Sequence, residues 1–276
     1  MQINLAIHGD STGFNMDEIQ LFLVNTFTRK VFHGQAVAVC VLTEELNDEF
    51  LRAIAIESHL PETAFIQMID KTWAIRWFNR DGEVYSSGHG LLAAAYVIFN
   101  FLRPKSQELK FTTSLGATLV RRLQEKIFFD YPVIAYSHED LPAYFSDYVE
   151  PKPIQAWQSG PDIVMLFDNP AYVEQAKIDV KALKKTLSGA LILTSPSADA
   201  DFYVRCFFPC QSYSEETATA AIYPRLALYW ADKLQKNNLV VEQGQTRRSE
   251  IICEIRGDRI HIGGYACCFY QGKLVF

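Results

Sequence analysis

From Leu91 to Phe99 the chain reads Leu-Leu-Ala-Ala-Ala-Tyr-Val-Ile-Phe, and almost nothing in it is polar. A helix without a polar face has to be covered on every side, and at this length the cover is protein and not lipid. A second such segment runs approximately from Thr219 to Leu234 and includes Ile222, Leu226, Ala227, Leu228, Tyr229 and Trp230. The lead-in to each is alike: Arg76-Trp77-Phe78 precedes the first, Arg205-Cys206-Phe207 the second, and a short polar turn lies between in both. This internal echo predicts two similar halves, each with one central apolar helix, the first spanning Leu91 to Leu102. Pro224 is awkward inside the second. Proline is tolerated only in a helix's first turn, so either that helix starts later than Thr219 or it carries up to about 3 kcal/mol of local strain.

Runs rich in β-branched and aromatic residues supply the cover. In the first half they are Ile19–Phe27, Ala36–Leu42, Thr63–Met68, Trp73–Phe78, Glu108–Thr113 and Gly116–Arg122. In the second they are Lys126–Tyr131, Asp162–Phe167, Ala190–Thr194, Phe202–Phe208, Leu239–Glu242, Glu250–Arg256, Arg259–Ile262 and Ala266–Tyr270. Two mixed sheets, each curled about one helix, follow from this pattern. Asn47 is placed to cap a surface helix with an apolar stripe of Phe50, Leu51, Ile54 and Ala55, ending near Ser58, so that Glu62 stands just beyond its exit.

Between Trp73–Phe78 and the first apolar helix lies Ser86-Ser87-Gly88-His89-Gly90. Such a turn can aim free backbone N–H groups and the positive end of the helix dipole at an anion or a developing negative charge. His89 opens the helix and can point into a cleft, where the dipole should disfavour its protonated form, leaving a neutral imidazole to orient substrate or relay a proton. Glu62, if partly desolvated and near few cations, can both take and return a proton.

Two of these segments carry a resemblance. Pro61-Glu62-Thr63-Ala64-Phe65 and Arg76-Trp77-Phe78 through Glu83-Val84, Gly88-His89 and Ala93-Ala94-Ala95 resemble the P-E-T-x-F and R-W-F-x-P-x-x-E-V-x-x-x-G-H-A-T-L-A-A-A signatures of the phenazine-biosynthesis PhzF-like isomerase family. That family shares the diaminopimelate-epimerase fold. Thr26-Phe27-Thr28, Gly34-Gln35-Ala36, Arg205 to Pro209, Glu215-Glu216-Thr217-Ala218-Thr219, Gln243-Gly244, Arg248-Ser249 and Ile262-Gly263-Gly264 follow in the family's order, so only about the first eighteen residues fall outside it. The resemblance implies an α/β (α+β) fold of two pseudo-symmetric domains, residues 1–118 and 119–276, with the last strand, about 268–276, returning to the first and the active site in the cleft between them. It also implies that Glu62 is the proton shuttle. His89, Ser87 and Glu216 then position the substrate and secondary proton transfers, while Gly88, Gly90 and the second helix start at Thr219, Ala220 and Ala221 hold its carboxylate.

The departures matter as much. Cofactor-free racemases of the wider fold use a cysteine pair, one thiol at each helix start, because a thiolate is a workable base at neutral pH and a serine alkoxide is not. Here Ser87 stands at the first position and the second turn has no cysteine, which disfavours two-thiol epimerisation. Where the family reads E-D-P-x-T-G-S-A, this chain has Glu215-Glu216-Thr217-Ala218-Thr219-Ala220-Ala221-Ile222. Ala220 and Ala221 thus replace a glycine and a serine, narrowing backbone approach and removing one hydroxyl. The sequence therefore predicts a cofactor-independent isomerase acting on a small carboxylate-bearing metabolite. Its rival is a degenerate member that binds a metabolite or a protein, and an amino-acid epimerase is the third reading.

Charge and cysteines exclude other classes. A net charge of −6, with basic doublets such as Arg121-Arg122 and Arg247-Arg248 too short to count as patches, argues against nucleic acid. No apolar run reaches the length that spans a bilayer, and the amino terminus lacks the pattern of a secretory signal, so the expectation is a cytoplasmic homodimer without a membrane partner. The six cysteines are scattered, with no paired-ligand spacing of the zinc type, and no metal or cofactor motif appears.

Overall fold

A computed structural model describes residues 18–210 and 215–275. The amino terminus, read above for a secretory-signal pattern, lies outside them. In chain order come β1 (Ile19–Thr26), β2 (Gln35–Leu42), α1 (Asp48–Glu57), β3 (Thr63–Ile69), β4 (Thr72–Asn79), β5 (Gly82–Val84), α2 (Gly88–Val97), β6 (Glu108–Thr113), β7 (Gly116–Leu123) and β8 (Lys126–Pro132). Next come β9 (Glu139–Asp140), β10 (Val149–Glu150), β11 (Gln155–Ser159), β12 (Asp162–Leu166), α3 (Pro170–Gln175), β13 (Lys177–Ile178), α4 (Val180–Leu183), β14 (Leu191–Pro196) and β15 (Phe202–Phe207). The chain ends with β16 (Glu215–Glu216), α5 (Tyr223–Leu234), β17 (Asn238–Gln243), β18 (Ser249–Arg256), β19 (Arg259–Gly264) and β20 (Ala266–Leu274).

The alternation that predicts strands reappears as alternating burial. In β4, Trp73, Ile75 and Trp77 are buried, while Ala74 and Arg76 are less so. Pairing is mixed: β2 and β3 are parallel, β3 and β4 antiparallel, β15 and β17 parallel, and β17, β18 and β19 antiparallel. The two halves join where β7 pairs with β8, Val120 opposite Phe129, and where β20 pairs with β1, Cys267 opposite Asn25. Hydrogen bonding therefore runs without a break from the first half into the second.

Curling of the sheet encloses α2. Gly88 to Ala95, Val97, Ile98 and Phe99 are all buried, and the helix continues as a π turn over Ile98–Leu102. Tyr96 is its half-exposed member, and its hydroxyl accepts from the Cys268 N–H at 3.3 Å. The second helix corrects two expectations. A short 3-10 turn, Ala220–Ile222, comes first, so the α-helical part begins at Tyr223 and Pro224 falls in the first turn, where its missing N–H costs nothing. Nor is α5 apolar all round: Tyr223, Leu226, Ala227 and Trp230 are buried, whereas Asp232 and Lys233 are exposed. α1 matches its sequence signals, with Asn47 accepting from the Phe50 N–H at 2.9 Å and Leu51, Ile54 and Ala55 buried.

Candidate active site

Glu62 lies between the end of α1 and the start of β3, 5% exposed, and His89 at the start of α2 is 9% exposed. The structure brings these two, predicted from separate motifs, to 3.5 Å between Glu62 Oε2 and His89 Nε2. The Ser87 hydroxyl donates to Glu62 Oε1 at 2.5 Å and accepts from the Gly90 N–H at 2.9 Å. Ser87 is thus the N-cap of α2 and the clamp on the carboxylate at once. This revises the sequence reading, in which the Ser87 hydroxyl and the Gly90 N–H were to meet substrate: both are already engaged. The Gly88 and His89 N–H groups have no acceptor among the described residues.

Glycine at position 90 has a steric cause. A Cβ there would stand 2.2 Å from Glu62 Oε1 and 2.4 Å from Trp77 Cδ1. At Gly88 a Cβ would fall 2.3 Å from the Ala220 Cβ, so the two helix starts touch at this point. Ala220, 2% exposed, is therefore a packing contact, while Ala221 is exposed and lines the cleft.

Glu216 reaches the same site from the second half. Its carboxylate accepts from the Thr219 hydroxyl at 2.9 Å. Burial raises its pKa, with His89 and Thr219 opposing and Glu62 adding to the rise. For His89, burial favours the neutral ring, but Glu62, Glu216 and the backbone of Ala218 overcome it and push the pKa up to about 9. The expected neutral imidazole is thus an imidazolium at neutral pH, because two nearby carboxylates and the Ala218 backbone outweigh the cost of burying the charge.

Sequence reasoning assigned no role to Gln243, which is fully buried and organises the second turn. Its Oε1 accepts from the Thr219 N–H at 3.1 Å and the Tyr223 hydroxyl at 2.6 Å, and its Nε2 donates to Glu216 O and Thr219 Oγ1, both at 3.0 Å. The Thr219 N–H is therefore committed as well. A signal existed: Leu239, Val241 and Gln243 share the inward phase of β17, and a glutamine there needs partners. Gln35 was likewise missed; its side chain accepts from the Thr217 hydroxyl and links the halves.

Arg76 and Arg205 do matching structural work. Arg76 pairs through Nε and Nη2 with Glu83 and Arg205 through Nε and Nη2 with Glu215, each tying one strand to the next. The cleft, about 500 Å³, is lined by Glu62, Ser87, Gly88, His89, Glu216 and Thr219, and also by Arg80 and Arg247. Among the described residues no three His, Cys, Asp or Glu side chains form a group that could hold a metal ion, and no helix is long and apolar enough to cross a membrane.

The likeness to known proteins spans nearly the whole chain. Two uncharacterized isomerases of Pseudomonas aeruginosa are 32% and 29% identical over 257 residues, each alignment covering 93% of this chain and 99% and 98% of the relative. The crystal structure of a PhzF-family phenazine biosynthesis protein from Enterococcus faecalis superposes with a TM-score of 0.90 at 29% identity, covering 94% of this chain and all of that one. A hydroxyproline epimerase from Agrobacterium vitis, 10% identical with a TM-score of 0.61 and coverage of 95% and 93%, shares the fold alone. The profile of the phenazine biosynthesis-like protein family matches residues 24–272, and the chain belongs to that family.

Proposed function

We propose that this protein is a cofactor-independent isomerase that moves a proton within a small carboxylate-bearing, unsaturated or hydroxylated metabolite, in a cleft between two epimerase-like domains, residues 1–118 and 119–276. One observation carries the reading: Glu62, His89 and Glu216, drawn from three separated segments, share one largely buried site. As a carboxylate, Glu62 removes a proton from carbon. The C–H electrons enter the conjugated π system of the substrate, and the same carboxyl returns the proton to a second carbon, so that no atom is gained or lost. The imidazolium of His89 offsets charge developing on the substrate, and the Gly88 and His89 N–H groups suit its carboxylate. Ser87 fixes the orientation of Glu62 by holding Oε1 and leaves Oε2 toward His89.

A binding-only role is the second reading. The Ala220 side chain packed on Gly88 favours it, since it narrows the space at the second turn. Incubating the protein in deuterated water with a panel of small unsaturated and hydroxylated carboxylic acids separates the two. The isomerase reading predicts deuterium in at least one acid by mass spectrometry. Ligands that bind in the cleft without ever acquiring label would establish the binding role instead.

A further inference from the structure

Arg247 leaves the turn after β17 and crosses to the other half of the molecule. Its Nε donates to Gly34 O at 2.9 Å, and its Nη2 donates to Asn25 Oδ1 at 2.6 Å and His33 O at 3.2 Å. All three acceptors are neutral. No carboxylate pairs with this guanidinium among the described residues, in contrast to its neighbour Arg248, which meets Glu174 and Glu242. Of the five N–H donors of an arginine, the two on Nη1 have no partner among the described residues. The residue is half-buried and lines the cleft with Gln35, Thr217 and Glu216.

A fixed, planar, uncompensated cation with one edge unused, at the wall of a cleft of about 500 Å³, is built to receive an oxyanion in a forked pair of charge-assisted hydrogen bonds. The backing loop is equally set. Gly34, at φ +64°, has no room for a side chain, because a Cβ would meet Thr26 O at 2.0 Å, and its N–H donates to Arg248 O at 3.0 Å. The guanidinium therefore needs little reordering to bind. The donors proposed for the substrate's reacting end, the Gly88 and His89 N–H groups, come from a different segment, the start of α2.

We infer that Arg247 is a specificity residue holding a second anionic group of the substrate, a carboxylate or a phosphoryl oxyanion, so that the metabolite is at least a dianion. This rests on the isomerase reading for the identity of the first end, but Arg247 can be tested without turnover. Calorimetry would compare glutarate, adipate and pimelate with pentanoate, hexanoate and heptanoate, which scans the spacing between the ends, and with the matching ω-phosphono acids, which distinguishes the two oxyanions. Wild-type protein should bind at least one dianion tenfold or more tighter than its monoanion. Arg247→Gln should abolish that preference with monoanion affinity kept within twofold, and Arg247→Lys should retain about a third of it or more. Should Arg247→Gln lose its melting transition, the lysine variant decides alone. Equal binding of dianions and monoanions by the wild type, or a preference that survives in both variants, would overturn the inference. Proton exchange without dianion preference would sink the Arg247 inference alone; Arg247-dependent preference without exchange would sink the isomerase reading alone.

Discussion

A methyl group on Gly90 would occupy the space in which Ser87 holds Glu62 Oε1, and Trp77 blocks its retreat on the other side. Alanine is the better helix former by about 1 kcal/mol, yet a contact near 2.2 Å must move something. Gly90→Ala should therefore lower exchange of a substrate proton at least tenfold, and its melting temperature should not rise as propensity alone would predict. His89 offers a second test at this scale. Burial opposes its charge, but Glu62 and Glu216 raise its pKa to about 9, above the value of about 6.5 expected when unfolded. Such a group stabilises fully below its unfolded pKa and loses that contribution as pH rises through its folded one. Wild-type stability should fall between roughly pH 6.5 and 9 by on the order of 1–3 kcal/mol, and His89→Asn should flatten that slope in thermal melts. Glu62, Ser87, His89 and Glu216 were legible because each sits in a local motif. The charge state of His89 was not, since it depends on two carboxylates brought close only by the fold.

The elements followed their periodicities where a side chain's phase decided its burial, as in β4, β17 and α1. They were missed where it could not. β11 reads Gln-Ala-Trp-Gln-Ser, with Trp157 as its one large apolar residue, and β5 is held to β4 by a three-residue hairpin arm. The late start of α5 is one of the two outcomes that Pro224 left open, whereas its polar side, written in Asp232 and Lys233, was outweighed by apolar content in the sequence reading. What positions that helix start is Gln243 at the end of β17. Gln243→Leu would keep the volume and orphan the Thr219 N–H and the Tyr223 hydroxyl, both buried. A loss of about 1–3 kcal/mol per orphaned group is expected in denaturant melts, along with weaker ligand binding as Glu216 loses its support. Unchanged stability would mean that the network of the second turn contributes nothing to holding it.

At the scale of the molecule, the two halves of the chain meet through β7 with β8, β1 with β20, Gln35 with Thr217, and Arg247 with Asn25 and Gly34. The repeated arginine–aromatic lead-in reappears as the matching Arg76–Glu83 and Arg205–Glu215 pairs. Only the resemblance implied the return of the last strand to the first half, because partners such as Asn25 and Cys267 are set by three-dimensional closure and not by any period along the chain. That closure is what places Glu216 beside the Glu62–His89 pair and makes the cleft a site. The central claim, that the Glu62 carboxyl takes and returns the substrate's proton, is tested most directly with Glu62→Gln in deuterated water, using the acid that the wild type labels. The amide keeps the size of the side chain but cannot accept a proton. Label incorporation should fall by a thousandfold or more while the fold, followed by circular dichroism, and the affinity for the acid stay close to those of the wild type. Labelling by Glu62→Gln at the wild-type rate would contradict the account and assign the proton to another base.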